Sequence, residues 1–337
     1  MFDFSPSLTL PWDIAQRARD KLLEPVSFRR TRLSPEMELA AAPWKTTHQI
    51  QRIQNASKSL TKPLRFVVLG DSGPARFWFG RLLWPTPNVY ERLLNKVQNN
   101  LSDTPFDFSV HVGDQLTVGK LKEYKRLLQI LSDRVTWPYL TVIGNHERSA
   151  PHAGGNNKLY RSVFGDPDYT FDHGGVRFVV LDTSLGKLNP DQLKWLDQVL
   201  RTDQRKIVFT HEPPDVFKQW TRFLCFKGGG FRDGSDEFVE LMAKHRVDRV
   251  YMGHVHHFGF MEWKGVRYVL SGSSGSPLYP LPARGEKKFF NYILVEITSN
   301  SIQETVYKLD DSFFTLLSFL SSLQTRMPSR VTVNIQD

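Results

Sequence analysis

From Leu64 onward, short runs of apolar, β-favouring residues alternate with segments whose apolar positions recur at helical spacing, a pattern that predicts an α/β domain. Five of these runs are LRFVVLG (64–70), FDFSVHVG (106–113), YLTVIG (139–144), KIVFT (206–210) and DRVYMG (248–253). VRFVVLD, VRYVLSG and NYILVEI supply further strands. The paired glycines of YTFDHGGVRFVVLD mark a hairpin, so the sheets are expected to be mixed. NPDQLKWLDQVL predicts a covering helix, with Asn189 as N-cap, Pro190 in the first helical position and Gln192 placed to bond back. Its Leu193, Leu196, Val199 and Leu200 share one face. The stretches beginning at Asn88 and Asp236 repeat the same periodicity. Residues 1–60 mix charged, polar and proline positions with little alternation and read as an N-terminal extension carrying one or two short helices. The catalytic fold is expected over 61–309, and 310–337 form a C-terminal tail with a short apolar helix around FFTLLSFLSSL.

Composition narrows the class without naming it. A chain of 337 residues that is 40% hydrophobic and 23% charged can bury a sizeable core, and nothing in it reads as disordered. A single cysteine, Cys225, excludes an internal disulfide framework. The first residues, MFDFSPSLTLP, place Asp3 and two prolines where an export signal needs a basic and then unbroken apolar stretch, so a cytoplasmic location is expected. No apolar run approaches the ~20 residues of a membrane-spanning helix. The net charge of +9 favours anionic partners. The basic residues are nevertheless scattered, and no recognisable nucleic-acid-binding module is present.

The ends of the five runs carry the chemistry. Asp71 follows the first, Asp114 the second, Asn145 and His146 the third, His211 the fourth, and His254 and His256 the fifth. Four of the five place a glycine at that turn. Ligands in open α/β sheets sit beyond the carboxyl ends of the strands, so these loops are expected to converge on one crevice. One Asp after a strand is ordinarily a cap or turn residue and one His a packed one. Five coincidences of the same kind point to a metal site.

The ordered set Gly70-Asp71-Ser72-Gly73, Gly113-Asp114, Gly144-Asn145-His146-Glu147, His211 and Gly253-His254-Val255-His256 resembles the calcineurin-like metallophosphoesterases over roughly residues 64–308. The resemblance implies a four-layer α-β-β-α sandwich with two mixed β-sheets and a centre of two divalent or trivalent metal ions, Mn, Zn or Fe. In that reading Asp114 bridges both ions, Asp71 and His256 hold the first, and Asn145, His211 and His254 hold the second. It further implies a phosphoester hydrolase, monoesterase or diesterase, in which hydroxide generated at the metals attacks phosphorus in line. His146 stands at the leaving group as acid or charge stabiliser. Two departures stand out. Gly73 occupies a position where many members carry a ligand His, in a Gly-Asp-x-Gly form like that of purple acid phosphatases. Thr117 stands where that branch has a metal-binding Tyr and other branches an Asp.

Substrate is not written in metal ligands. Arg148, His152, Lys227 and Arg232 are candidate phosphate contacts, the last two flanking three consecutive glycines (228–230) in a basic flap or a plain loop. The aromatic stretch ARFWFGRLLWPTPNVY after the first motif is either core or an apolar lip for peripheral contact with an anionic or hydrophobic surface. A non-catalytic binding scaffold and a nuclease remain the alternatives. His111, inside the second run, is expected to be a packed strand residue.

Overall fold

A computed structural model describes residues 33–56, 63–74, 88–151, 154–223, 226–227, 229–278, 289–309 and 330–333. The first half of the chain supplies strands β1 (Leu64–Leu69), β2 (Phe108–His111), β3 (Tyr139–Thr141), β4 (Tyr169–His173) and β5 (Val176–Val180). These are followed by β6 (Arg205–Phe209), β7 (Arg222–Phe223), β8 (Phe226–Lys227), β9 (Arg249–Met252) and β10 (Phe258–Trp263). The last described strands are β11 (Val266–Ser271), β12 (Asn291–Ile297), β13 (Ile302–Lys308) and β14 (Arg330–Val333).

Two mixed sheets result, one in the order β14-β13-β12-β1-β2-β3 and one in the order β10-β11-β9-β6-β5-β4, beside a small β7-β8 hairpin. In the first sheet β1, β2 and β3 run parallel; in the second, β5, β6, β9 and β11 do. Their carboxyl ends therefore fall on common edges, which aligns the loops named above. Alternation along the strands sends one set of side chains between the sheets. Phe66 sits there, stacked on Phe108 with ring centroids 5.4 Å apart and edge-on to Phe178, Phe209 and Tyr251. The opposite faces pack against helices. Helices Val89–Asp103 and Leu121–Arg134 cover the first sheet, and Pro190–Val199 and Ser235–Lys244 cover the second. The architecture is the expected four-layer α/β sandwich.

Local sequence explains the individual elements. Asn189 accepts from Gln192 N while the Gln192 side chain returns to Asn189 N, closing the capping box before Pro190–Val199. Gly174 (φ 57) and Gly175 (φ 76) both take the left-handed conformation that a two-residue hairpin between β4 and β5 requires.

The short helices expected before residue 60 are present, and both flanks pack onto the sheets. Residues from Leu33 belong to the same compact unit as the rest. Helix Pro35–Ala41, capped by Ser34, puts Met37 and Ala41 into the core beside Trp44, and helix Thr46–Ala56 buries Ile53. A few well-spaced apolar anchors do this, too sparse to show as a periodic signal. At the other end the apolar stretch from Phe313 lies outside the described residues, and residues 330–333 return to the first sheet as β14, antiparallel to β13.

Candidate metal centre

The two sheets contribute different chemistry to one place. The first delivers oxygen donors: Asp71 after β1, Asp114 after β2 and Asn145 after β3. The second delivers imidazoles: His211 after β6, and His254 and His256 after β9. His211 Nε2 lies 3.2 Å from Asp114 Oδ2 and 3.2 Å from Asn145 Oδ1. His254 Nδ1 lies 3.0 Å from the same amide oxygen and 3.3 Å from His211 Nε2. Potential ligand atoms of Asp114, His211 and His254 all fall within 4.8 Å of one another. Beside them His256 Nε2 stands 3.5 Å from Asp71 Oδ1. All six expected ligands are thus brought together, in a dense group and a looser pair.

Backbone strain gathers at the same place. Asp71 (φ 55), Asp114 (φ 57) and His254 (φ 68) are non-glycine residues in the left-handed region, a conformation that persists only where the surroundings enforce it. Crowding is the reason for two of the glycines. A Cβ on Gly144 would stand 2.2 Å from Asp114 Oδ1, and one on Gly253 would stand 2.4 Å from Asp71 Oδ2.

The imidazoles are aimed by backbone carbonyls. His211 Nδ1 donates to Val112 O at 2.8 Å and His256 Nδ1 to Pro277 O at 2.7 Å. The neutral form of each ring therefore presents its Nε2 lone pair to the carboxylates. Burial opposes charge on His211, yet the adjoining Asp114 overrides it and raises the imidazole to about 10. Burial likewise opposes ionisation of Asp114, but His211, His146 and His254 hold its carboxyl well below the usual range. Such a convergence of lone pairs calls for positive charge at its centre, and the donor set of two carboxylates, an amide oxygen and three imidazoles fits borderline ions of the Zn, Fe or Mn kind.

Glu147 was visible in the sequence but given no role there. Its buried carboxylate accepts from Asp114 N (2.8 Å), Gln115 N (2.7 Å), Leu116 N (3.2 Å) and Gly144 N (2.7 Å), clamping the loops after β2 and β3 together. Burial, then Asp114, pushes its carboxyl upward, while four N–H donors suit the ionised, acceptor-only form. A glutamate three residues after Gly144, reaching back to its N–H, is the half of a capping box that could have signalled this. The second sheet has a neutral counterpart: Thr183 Oγ1 accepts from His211 N (3.2 Å) and Glu212 N (2.9 Å).

His146 stays apart from the dense group. Its backbone N–H donates to Asp114 Oδ1 at 2.9 Å, its Nδ1 donates to Thr117 O at 2.6 Å, and its Nε2 stands 4.0 Å from Asp114 Oδ2. Thr117 therefore supports His146 through its main chain, which its side-chain identity could not reveal. Arg148 differs from the expected phosphate contact. It is buried, and its guanidinium is taken up by Ser184 Oγ (2.6 Å), Gly155 O (3.0 Å) and Asp182 (2.8 Å). Arg232 is exposed, with its backbone N–H on Gly186 O in the loop after β5. His152, the side chain of Lys227 and the aromatic stretch 75–87 lie outside what the structure describes. His111 is a packed residue as expected. Its Nε2 meets Ser72 Oγ at 3.0 Å, Tyr90 stands edge-on, and burial lowers it to about 3, which keeps it neutral.

Two stacked mixed sheets whose parallel strands end in this ligand set define a metallophosphoesterase fold. The sequence profile of the calcineurin-like phosphoesterases matches residues 64–258, and the chain belongs to that family. It is 27% identical over 227 residues to a nucleotide pyrophosphatase/phosphodiesterase of Hordeum vulgare, covering 58% of this chain and 59% of that protein. It is 32% identical over 185 residues to a probable cyclic nucleotide phosphodiesterase of a Synechococcus strain, covering 52% and 67%. A purple acid phosphatase from Lupinus luteus shares the fold with a TM-score of 0.55 at 20% identity, over 73% of this chain and 52% of that one. The chain thus spans little more than half the length of the barley relative. Among the described residues no helix is long and apolar enough to cross a membrane.

Proposed function

We propose that the protein is a metal-dependent phosphoester hydrolase with phosphodiesters as its first class of substrate. The observation that carries this reading is the meeting of Asp114 Oδ2, Asn145 Oδ1, His211 Nε2 and His254 Nδ1 with no more than 3.3 Å between neighbours in contact. The diester preference is supported by the two relatives named as phosphodiesterases. In this reading Asp71, Asp114 and His256 would hold one ion, and Asp114, Asn145, His211 and His254 would hold the other. Bound there, the ions would supply Lewis-acid polarisation of the phosphoryl oxygens and a water of lowered pKa.

The residues of the chain do the rest. Val112 O and Pro277 O fix which imidazole nitrogens face inward, and Glu147 fixes the loops that carry Asp114 and Asn145. His146, anchored at Nδ1 by Thr117 O, keeps Nε2 directed toward the Asp114 side of the centre. When phosphorus gains an oxygen from water and the ester P–O bond breaks, the proton held at His146 Nε2 passes to the departing oxygen. His146→Ala should retain its metal and its fold and lose about 10²- to 10⁴-fold in rate. The loss should be larger for alkyl than for nitrophenyl leaving groups, because nitrophenolate departs without protonation. Chelation followed by Mn, Zn or Fe should abolish and restore hydrolysis of bis(nitrophenyl) phosphate. Full activity in a verified metal-free sample would remove the proposal, and nitrophenyl phosphate cleaved faster than the diester would reverse the preference.

A further inference from the structure

Strands β6 and β9 carry candidate ligands at their carboxyl ends only; their amino ends open on a basic groove, about 20 Å from His211 by the rise of an extended chain. Two clefts of about 640 and 370 Å³ share Arg205, Arg246 and Asp248. Arg201, Lys206 and Lys244 line the first, and Arg249 and Lys264 the second. Seven cations therefore line the groove against two carboxylates, Asp203 and Asp248.

Most of these cations are held in place. Arg205 bonds to Asp248 Oδ1 (3.1 Å) and Ser299 O (3.0 Å), and Arg249 to Asp248 O (2.9 Å) with Glu304 at 3.4 Å. Arg201 and Lys244 share Asp197, and Lys264 pairs with Glu240. These partners orient the donors and offset part of the charge, but they leave two cations uncompensated. The buried ammonium of Lys206 bonds only to two carbonyls, Thr202 O (2.9 Å) and Gln204 O (3.0 Å). Arg246 is exposed where the two clefts join, and its guanidinium bonds to no described residue. Its backbone is in the left-handed region (φ 51), at the C-terminal end of helix Ser235–Lys244 where glycine is the usual occupant.

We infer that this groove is a second anion site, separate from the metal centre, for a compact group carrying more than one phosphate. Preset guanidinium forks suit phosphate oxygens, and two joined clefts are too wide for a single anion. Among the described residues no Phe, Tyr or Trp lines either cleft, and the one imidazole there, His245, is taken up by Asp197, so the stacking platform that single-stranded nucleic acids use is missing. The phosphates could be those of a free ligand or of a lipid headgroup.

The test uses the full chain with inorganic tripolyphosphate as probe in calorimetry, and phosphatidylcholine vesicles with and without phosphatidylinositol bisphosphate in sedimentation. The decisive variant is Arg246→Gly, because glycine relieves the positive φ and leaves folding intact or improved. Saturable tripolyphosphate binding is expected that weakens with salt and falls at least about tenfold in Arg246→Gly, with hydrolysis at the metal centre unchanged. Tripolyphosphate binding without vesicle binding identifies a free ligand. Co-sedimentation with the doped vesicles alone, lost in Arg246→Gly, identifies the headgroup. Failure of both probes, equal binding by the variant, or binding of duplex DNA in preference to tripolyphosphate would each overturn the assignment.

Discussion

The two sheets meet at one site but hold their contributions to it by different means. Strained backbone is common to both, at Asp71 and Asp114 on the first sheet and at His254 on the second, but on the first the Asp114 and Asn145 loops are locked by one buried glutamate taking four N–H groups. On the second sheet the imidazoles of His211 and His256 are turned by neutral carbonyls, and the His211 backbone is received by a threonine hydroxyl. A carboxylate is an acceptor whichever way it rotates, so its placement depends on the loop that bears it. An imidazole must also present the correct nitrogen, and a carbonyl on the far nitrogen secures that without adding charge. The oxygen side therefore concentrates its support in one side chain, while the nitrogen side distributes it over backbone.

The largest effect should come from removing the concentrated support. Glu147→Ala strands four N–H groups, costing about 3 kcal/mol of stability, with hydrolysis down about 100-fold through misplaced Asp114 and Asn145. Thermal unfolding and steady-state rates check both, and a loss no greater than that of Thr183→Val would break the comparison. Next, the looser pair should bind more weakly than the dense group. Titration of metal-free protein should give two unequal affinities. His256→Ala should lose about 10-fold in rate, recovered at high metal, and His211→Ala should lose more and recover less. Two indistinguishable sites would show that a ligand beyond Asp71 and His256 has been missed.

Smaller effects sharpen the contrast. Thr183→Val keeps the shape but not the acceptor, and should cost about 1 kcal/mol with activity within about threefold of the parent. The smallest concerns Asp168, which accepts from Asp182 N (2.7 Å) beside that same loop. Burial raises its carboxyl to about 6, against the lowering by Asp182 N–H and Gln192. Between roughly pH 4 and pH 6 the folded state keeps a proton that the unfolded chain releases, so this group costs stability increasingly as pH rises through that window. Asp168→Asn retains the acceptor oxygen and should gain about 1 kcal/mol near pH 7.5, a gain that vanishes below about pH 4. A pH-independent difference in melting temperature would remove this account.

Sequence alone carried most strands of the two sheets, though not β10, β13 or β14, together with the capped helix at Pro190 and the Gly-Gly hairpin, because alternation, caps and positive-φ turns are local properties of neighbouring residues. It also carried the set Asp71, Asp114, Asn145, His211, His254 and His256, since each sits immediately after an apolar run and the run predicts where its end points. It could not show that residues 33–56 join the core, because a handful of anchors such as Trp44 and Ile53 leave no period to read. Nor could it show that Arg148 is bound to Asp182, that Glu147 reaches across to three N–H groups after β2, or that Arg205, Arg246 and Arg249 share one groove. Those depend on which distant segments the sheets bring within about 3 Å of each other, and that proximity is decided by strand order and packing, for which the chain has no local code.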